Sequence, residues 1–353
     1  MGKFIEAGGI RQHVRTWGPI DGTPVLLVHG NCSSGGYWEP FVRDHLGGDA
    51  TELRIVAPDL RGYGDTDTAP VDATRGLRDF ADDLDGLLGA EGVFGSEAPV
   101  VVVGHSMGCG VAMQFAIDHA DRVAGLVLTA PVSPYGFGGT KDLEGTPTTP
   151  DFAGTGGGTA NPDFVARLDA ADRSGDEQTS PRAVLRSAYV ADADIFGADE
   201  EAMLDTVLST ATGVDNYPGD SAPSDNWPMV GPGERGVLNT MSPKWFSVAE
   251  DLVALEPKPP VEWLWGTADA IVSDTSLFDL AYLGQLGVVP GWPGAEACPP
   301  QPMVGQTRAV LERYAAAGGR FTETRLEGCG HSPHVERPDT VVEALHRLTS
   351  GRP

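Results

Sequence analysis

Four consecutive valines, Val100–Val103, run directly into Gly104-His105-Ser106-Met107-Gly108. An unbroken β-branched run suits a parallel strand covered on both faces. Met107, Val111 and Phe115 follow at i, i+4, i+8 spacing and predict a helix. A strand that passes into a helix through G-x-S-x-G restricts the chain to an α/β architecture and pushes Ser106 out of the sheet's upper edge on a strained backbone. Glycines flank it because side chains at 104 and 108 would strike strand and helix. The helix start behind Ser106 favours negative charge.

The rest of the chain repeats the alternation. Short apolar runs at 24–30, 53–59, 123–131 and 261–266 read as buried strands, and 321–328 as a more edge-like one. Helices are expected between 76 and 88, with Asp79, Asp82, Asp83 and Asp85 facing outward, around Val310, Leu311 and Tyr314, and after Pro338. The first 20 residues are expected to add an antiparallel hairpin at one edge. Such an order predicts an α/β fold with a mostly parallel sheet flanked by helices.

From 132 to 258 no buried strand is apparent. The Gly-, Thr- and Pro-rich stretch 136–160 reads as a long mobile loop. Asn161-Pro162, Ser180-Pro181 and Ser242-Pro243 each place a capping residue before proline and predict helix starts. Met203, Leu204, Val207 and Leu208 mark a fourth helix. The chain thus divides into a core, 1–131 and 259–353, and an inserted helical cap, 132–258. A second insertion, 272–305, is too long for an ordinary connection.

The carboxyl ends of parallel strands share one edge, so four loops meet there. One carries Ser106, one His29-Gly30-Asn31, one Asp269 and one His331. A serine hydroxyl needs a base to become a nucleophile, and histidine is matched to neutral pH. A carboxylate fixes the imidazole tautomer. The candidates are Ser106 as nucleophile, His331 as base and Asp269 as acid, with Asp274 as the weaker choice of acid. The backbone N–H groups of Asn31 and Met107 are the natural oxyanion donors. His29 and His105 read as structural. Tyr135, Phe137, Trp227, Trp245 and Phe246 are candidates for an apolar substrate pocket, with Tyr217 beside them.

The segments HGN (29–31), DLRGYGDT (59–66), GHSMG (104–108), WGTAD (265–269) and GCGHSPHVERP (328–338) resemble the α/β-hydrolase family. The resemblance covers the core and not the cap. It implies an α/β-hydrolase core with nucleophile, acid and base at Ser106, Asp269 and His331, and a bracing role for Arg61 and Asp65. Dehalogenases and epoxide hydrolases of this fold use aspartate where this chain has Ser106. The HGN-x-S-S-G loop joined to a serine is similar to that of some acyl-homoserine lactonases, and the HGGPG loop of prolyl aminopeptidases is absent. Ester or lactone hydrolysis is therefore expected. Amide or C–C bond hydrolysis, acyl transfer, perhydrolysis and slow-turnover ligand binding on the same fold are the alternatives.

Composition narrows the partners. A net charge of −26 repels nucleic acid and anionic membrane surfaces. The four cysteines form no C-x-x-C pair, and His331-x-x-His334 supplies only two ligands, so neither metal nor cofactor is expected. The first residues lack a signal-peptide pattern and no apolar stretch approaches the roughly 20 residues of a membrane span, which makes the cytoplasm the expected location. A small-molecule ester or lactone is the expected partner. Oligomeric state is not legible, although a helical cap offers apolar surface for a homodimer.

Overall fold

The valine run lies at the centre of an eight-stranded sheet. The structure, a computed structural model, describes residues 2–95 and 98–350. The strands are β1 (Gly2–Ala7), β2 (Ile10–Trp17), β3 (Thr23–Val28), β4 (Leu53–Pro58), β5 (Val100–His105), β6 (Val123–Thr129), β7 (Val261–Gly266) and β8 (Phe321–Leu326). Their spatial order is β1-β2-β4-β3-β5-β6-β7-β8. β1 and β2 pair antiparallel through Gly8-Gly9, both at positive φ as a two-residue hairpin turn requires. β2 runs antiparallel to β4, and every later pair is parallel.

Strand periodicity divides the core into two layers. Val100 and Val102 join Leu26, Phe80, Leu84, Val111 and Phe115 on one face. Val101 and Val103 join Val25, Leu27, Phe41, Val341 and Leu345 on the other. Helices Arg78–Leu88, Met107–Asp118 and Met303–Ala316 therefore cover one side, and Glu39–His45 and Pro338–Thr349 the other. Each fully buried valine contributes about 1.5–3 kcal/mol relative to exposure, which is why a run without polar relief fixes the central strand. The acids of Arg78–Leu88 depart from expectation. Asp79 and Asp83 are buried, and Asp83 is gripped by Arg61 at 2.6 Å through two nitrogens. Arg61 thus has the bracing role expected of it.

Between β6 and β7 the chain contributes no strand to the main sheet. Helices Pro162–Asp169, Pro181–Ala188 and Glu200–Leu208 form there, the first two capped by Asn161 and Ser180 as their sequences predict. Ser242-Pro243 starts no helix. The chain makes one turn, with Phe246 N–H bonded to the Ser242 carbonyl at 2.8 Å, and buried Phe246 then directs it into the core. Short strands also occur, among them the antiparallel pair Ser221–Pro223 and Val230–Pro232, so this segment is less helical than its sequence implies.

The 136–160 stretch is irregular but anchored. Gln306 accepts from Ser133 Oγ (2.7 Å) and donates to Thr140 Oγ1 (2.9 Å) and the Asp142 carbonyl (2.7 Å). Gln301 accepts from Gly138 N–H (2.5 Å) and donates to the Gly136 carbonyl (3.1 Å). Two buried amides, Gln301 within the second insertion and Gln306 just after it, thereby tie it to the first.

Candidate active site

Ser106 ends β5 and precedes helix Met107–Asp118 with φ +55° and ψ −119°. That strain persists because its surroundings fix it. Its N–H donates to the Thr129 carbonyl (3.0 Å), and its carbonyl accepts from Cys109 (3.0 Å) and Val132 (3.3 Å). A β-carbon at Gly104 would lie 2.7 Å from Cys109 backbone, and one at Gly108 would lie 2.3 Å from the Val28 carbonyl oxygen. The turn therefore needs both glycines, for the reason read from the sequence.

His331 arrives from the loop after β8 and Asp269 from the loop after β7. His331 Nδ1 lies 2.9 Å from Asp269 Oδ2, and both residues are buried. The other oxygen of Asp269 accepts from the N–H groups of Ile271 (2.7 Å) and Val272 (2.9 Å), so the carboxylate is fixed on both sides. Ala268 N–H donates to the Cys329 carbonyl (2.9 Å), joining the two loops. Glu336 steadies the histidine loop from behind, accepting from Gly330 (2.8 Å) and Ala191 (3.0 Å). Asp274 instead accepts from the N–H groups of Val304 and Gly305 at a helix start.

The loop after β3 completes the rim. His29 accepts from Leu60 N–H at Nε2 (2.9 Å), which leaves Nδ1–H to donate to the Gly30 carbonyl (2.8 Å). Burial holds its pKa down at about 4, so it stays neutral and braces the loop. Tyr63 OH donates to Asn31 Oδ1 (2.8 Å). Tyr189 OH approaches the carbonyls of Asn31 (3.1 Å) and Cys32 (2.9 Å). The loop is thus held from the core by Tyr63 and from the inserted segment by Tyr189. Helix Met107–Asp118 starts at the same rim, and the N–H of Met107, its first residue, has no intrahelical partner.

His105 Nε2 bonds the His331 carbonyl (2.8 Å), tying the loop of one candidate residue to the neighbour of the other. His334 packs behind it, 4.1 Å from the Trp38 ring and 4.9 Å from His105, with neither ring nitrogen hydrogen-bonded. Burial lowers the pKa of His334 to about 3 and that of His105 well below its ordinary value. Among the described residues, three metal-capable side chains converge only at His13, Asp59 and Asp65. Arg15, 2.7 Å from Asp59, already supplies a cation there. Asp59 is the buried brace of this region: burial opposes its ionisation, yet His13 and Arg15 hold its pKa below the usual range. All four thiols are buried, and burial pushes Cys32 and Cys329 up to about 12.

Asn31, Ser106 and His331 line a cavity of about 360 Å³, and most of its other walls come from the two insertions. Of the five aromatic residues expected there, Phe137 alone lines it; Tyr217 does as well. Tyr135 and Phe246 pack into the main core. Trp245 and Trp227 donate their indole N–H groups to the carbonyls of Gly233 and Pro290. Helical periodicity marks which residues are buried, but it does not separate core from cavity. Tyr189 and the two glutamines carried no signal in the sequence, because most of their partners lie far along the chain; Glu336 lies in the GCGHSPHVERP segment, but its tie to Ala191 is equally long-range.

A profile described as the alpha/beta hydrolase family matches residues 25–344. The chain is 38% identical over 122 residues to the lipase LipV of Mycobacterium tuberculosis, 35% of this chain and 42% of that protein. It is 33% identical over 147 residues to the proline iminopeptidase PfmaB of Pestalotiopsis fici, 41% of this chain and 50% of that protein. The match thus spans half or less of either relative. The esterase RhEst1 of a Rhodococcus species superposes with a TM-score of 0.58 at 20% identity, covering 99% of this chain and 98% of that one, a likeness of fold. No helix among the described residues is long and apolar enough to cross a membrane.

Proposed function

The chain belongs to the alpha/beta hydrolase family, and we propose that it cleaves a carboxylic ester or lactone through an acyl-enzyme on Ser106. The observation that carries this reading is the 2.9 Å contact between Asp269 and His331 beside a cavity that Ser106 and His331 both line.

Ser106 Oγ attacks the carbonyl carbon while His331 Nε2 takes the hydroxyl proton. Asp269 holds the tautomer that leaves Nε2 free and stabilises the imidazolium. The backbone N–H groups of Asn31 and Met107 take the oxyanion of the tetrahedral intermediate. Collapse breaks the C–O bond, and His331 returns the proton to the leaving oxygen. Water, deprotonated by His331, then attacks the acyl carbon; the acid leaves and Ser106 regains its proton. Residues 132–258 act as a cap over the core, and with 272–305 they shape the cavity and limit water. A serine at 106 disfavours the aspartate-nucleophile chemistry of epoxide hydrolases.

An activity panel of short esters, lactones and amides, run beside Ser106→Ala, tests the reading. Ester or lactone turnover lost in the variant supports it. Turnover of amides alone moves the assignment to peptide-bond chemistry, and ligand binding without turnover moves it to a receptor.

A further inference from the structure

The reactive groups of the cavity are gathered on one wall, at Asn31, Ser106 and His331. The surfaces beyond them are mostly apolar, with Phe137, Phe164, Leu238, Met241 and Leu283 among them. No lysine or arginine lines the cavity among the described residues. Three arginines of the inserted segment's helices are committed elsewhere. Arg167 bonds Asp163 (3.0 Å) and Asp172 (2.8 Å), while Arg182 (2.5 Å) and Arg186 (2.8 Å) both pair with Glu200.

The carboxyl that does line the cavity, Asp279, offers no positive charge, and burial pushes its pKa up. Asp279 is buried, and its two oxygens accept from Ala281 (3.0 Å) and Gln301 (2.8 Å), which fixes it in place. Gln178 and Thr179, which also line the cavity, follow Asp176 and Glu177, and Thr179 bonds Asp163. A net charge of −26 adds a general field against anions. A carboxylate moved from water into such walls meets no countercharge, only neutral donors such as Asn161 and Gln178, and a buried charge without a countercharge is strongly unfavourable.

We propose that this cavity selects by charge: it takes a neutral ester or lactone with apolar groups around the carbonyl and rejects same-length substrates that end in a carboxylate. The inference rests on the ester or lactone reading for its chemistry, but on the cavity walls for its selectivity. A volume of about 360 Å³ matches about a dozen water volumes at roughly 30 Å³ each. That sets the scale at about a dozen heavy atoms.

The test is calorimetric binding to Ser106→Ala at pH 7.5. Ethyl hexanoate is compared with monoethyl adipate, and ethyl 6-hydroxyhexanoate serves as an uncharged polar control. Monoethyl adipate should bind at least about 100-fold more weakly than ethyl hexanoate, with the hydroxy ester between them. Equal binding of the neutral and anionic esters, within about threefold, overturns the inference and leaves the ester reading intact. Wild-type hydrolysis of the same esters judges the chemistry separately. If the variant separates the pair and wild-type protein cleaves neither, ester hydrolysis falls and the selectivity stands.

Discussion

His331 Nδ1 lies 2.9 Å from Asp269 Oδ2, although 62 positions separate the two residues in the chain. Two backbone N–H groups already hold the other carboxylate oxygen. In Asp269→Asn the amide oxygen would stay with those N–H groups and its NH2 would turn toward His331. The imidazole would then accept at Nδ1 and carry its proton on Nε2, where the serine proton must go. We expect kcat to fall about 10³- to 10⁴-fold with KM little changed, measured by steady-state hydrolysis of a short ester. A loss below tenfold would contradict this role.

Tyr189→Phe removes the hydroxyl that reaches the carbonyls of Asn31 and Cys32 and leaves the ring in place. The loop that carries Asn31 loses its tie to the inserted segment. A lost hydrogen bond is worth about 1 kcal/mol, so kcat should fall about fivefold to tenfold while KM stays within about twofold. Unchanged kcat would show that the loop does not depend on this contact.

Gly108→Ala tests the turn itself. Its new methyl would lie 2.3 Å from the Val28 carbonyl oxygen and 2.5 Å from that of His29, and neither is a flexible side chain. We expect a loss of at least about 2 kcal/mol and a Tm lower by about 3 °C or more, read by calorimetry. A Tm within about 1 °C of wild type would mean that the turn is not sterically closed.

His334 gives a pH signature. Its folded pKa, about 3, lies below its ordinary value of 6.5, so below pH 6.5 the unfolded chain binds the extra proton. Its contribution to stability is present above pH 6.5 and is lost as pH falls toward 3. Glu336, whose carboxyl burial pushes up, acts in the opposite direction, so the comparison must be made against a variant. Between pH 7.5 and pH 5, wild type should lose about 2 kcal/mol more than His334→Phe, measured by urea unfolding. Equal losses would contradict the assignment of a buried neutral imidazole.

The core was legible because its signals are local. Val100–Val103 and the glycines at 104 and 108 fix strand, turn and helix within 20 residues, and parallel strands then bring Asn31, Ser106, Asp269 and His331 to one rim. The inserted segment was less legible because its contacts are long-range. Trp227 and Trp245 look like pocket aromatics in sequence, yet each spends its indole N–H on a distant carbonyl. Asp79 and Asp83 look solvent-facing until Arg61 arrives from another loop. Ser242-Pro243 carries a helix-start signal that the burial of Phe246 overrides.

Mass spectrometry after treatment with a fluorophosphonate probe tests most directly whether Ser106 is a nucleophile driven by His331. The adduct is expected on Ser106, absent from Ser106→Ala, and formed at least about 1000-fold more slowly in His331→Ala. Folded wild-type protein that remains unmodified at Ser106, or a His331→Ala variant labelled at the wild-type rate, would contradict it.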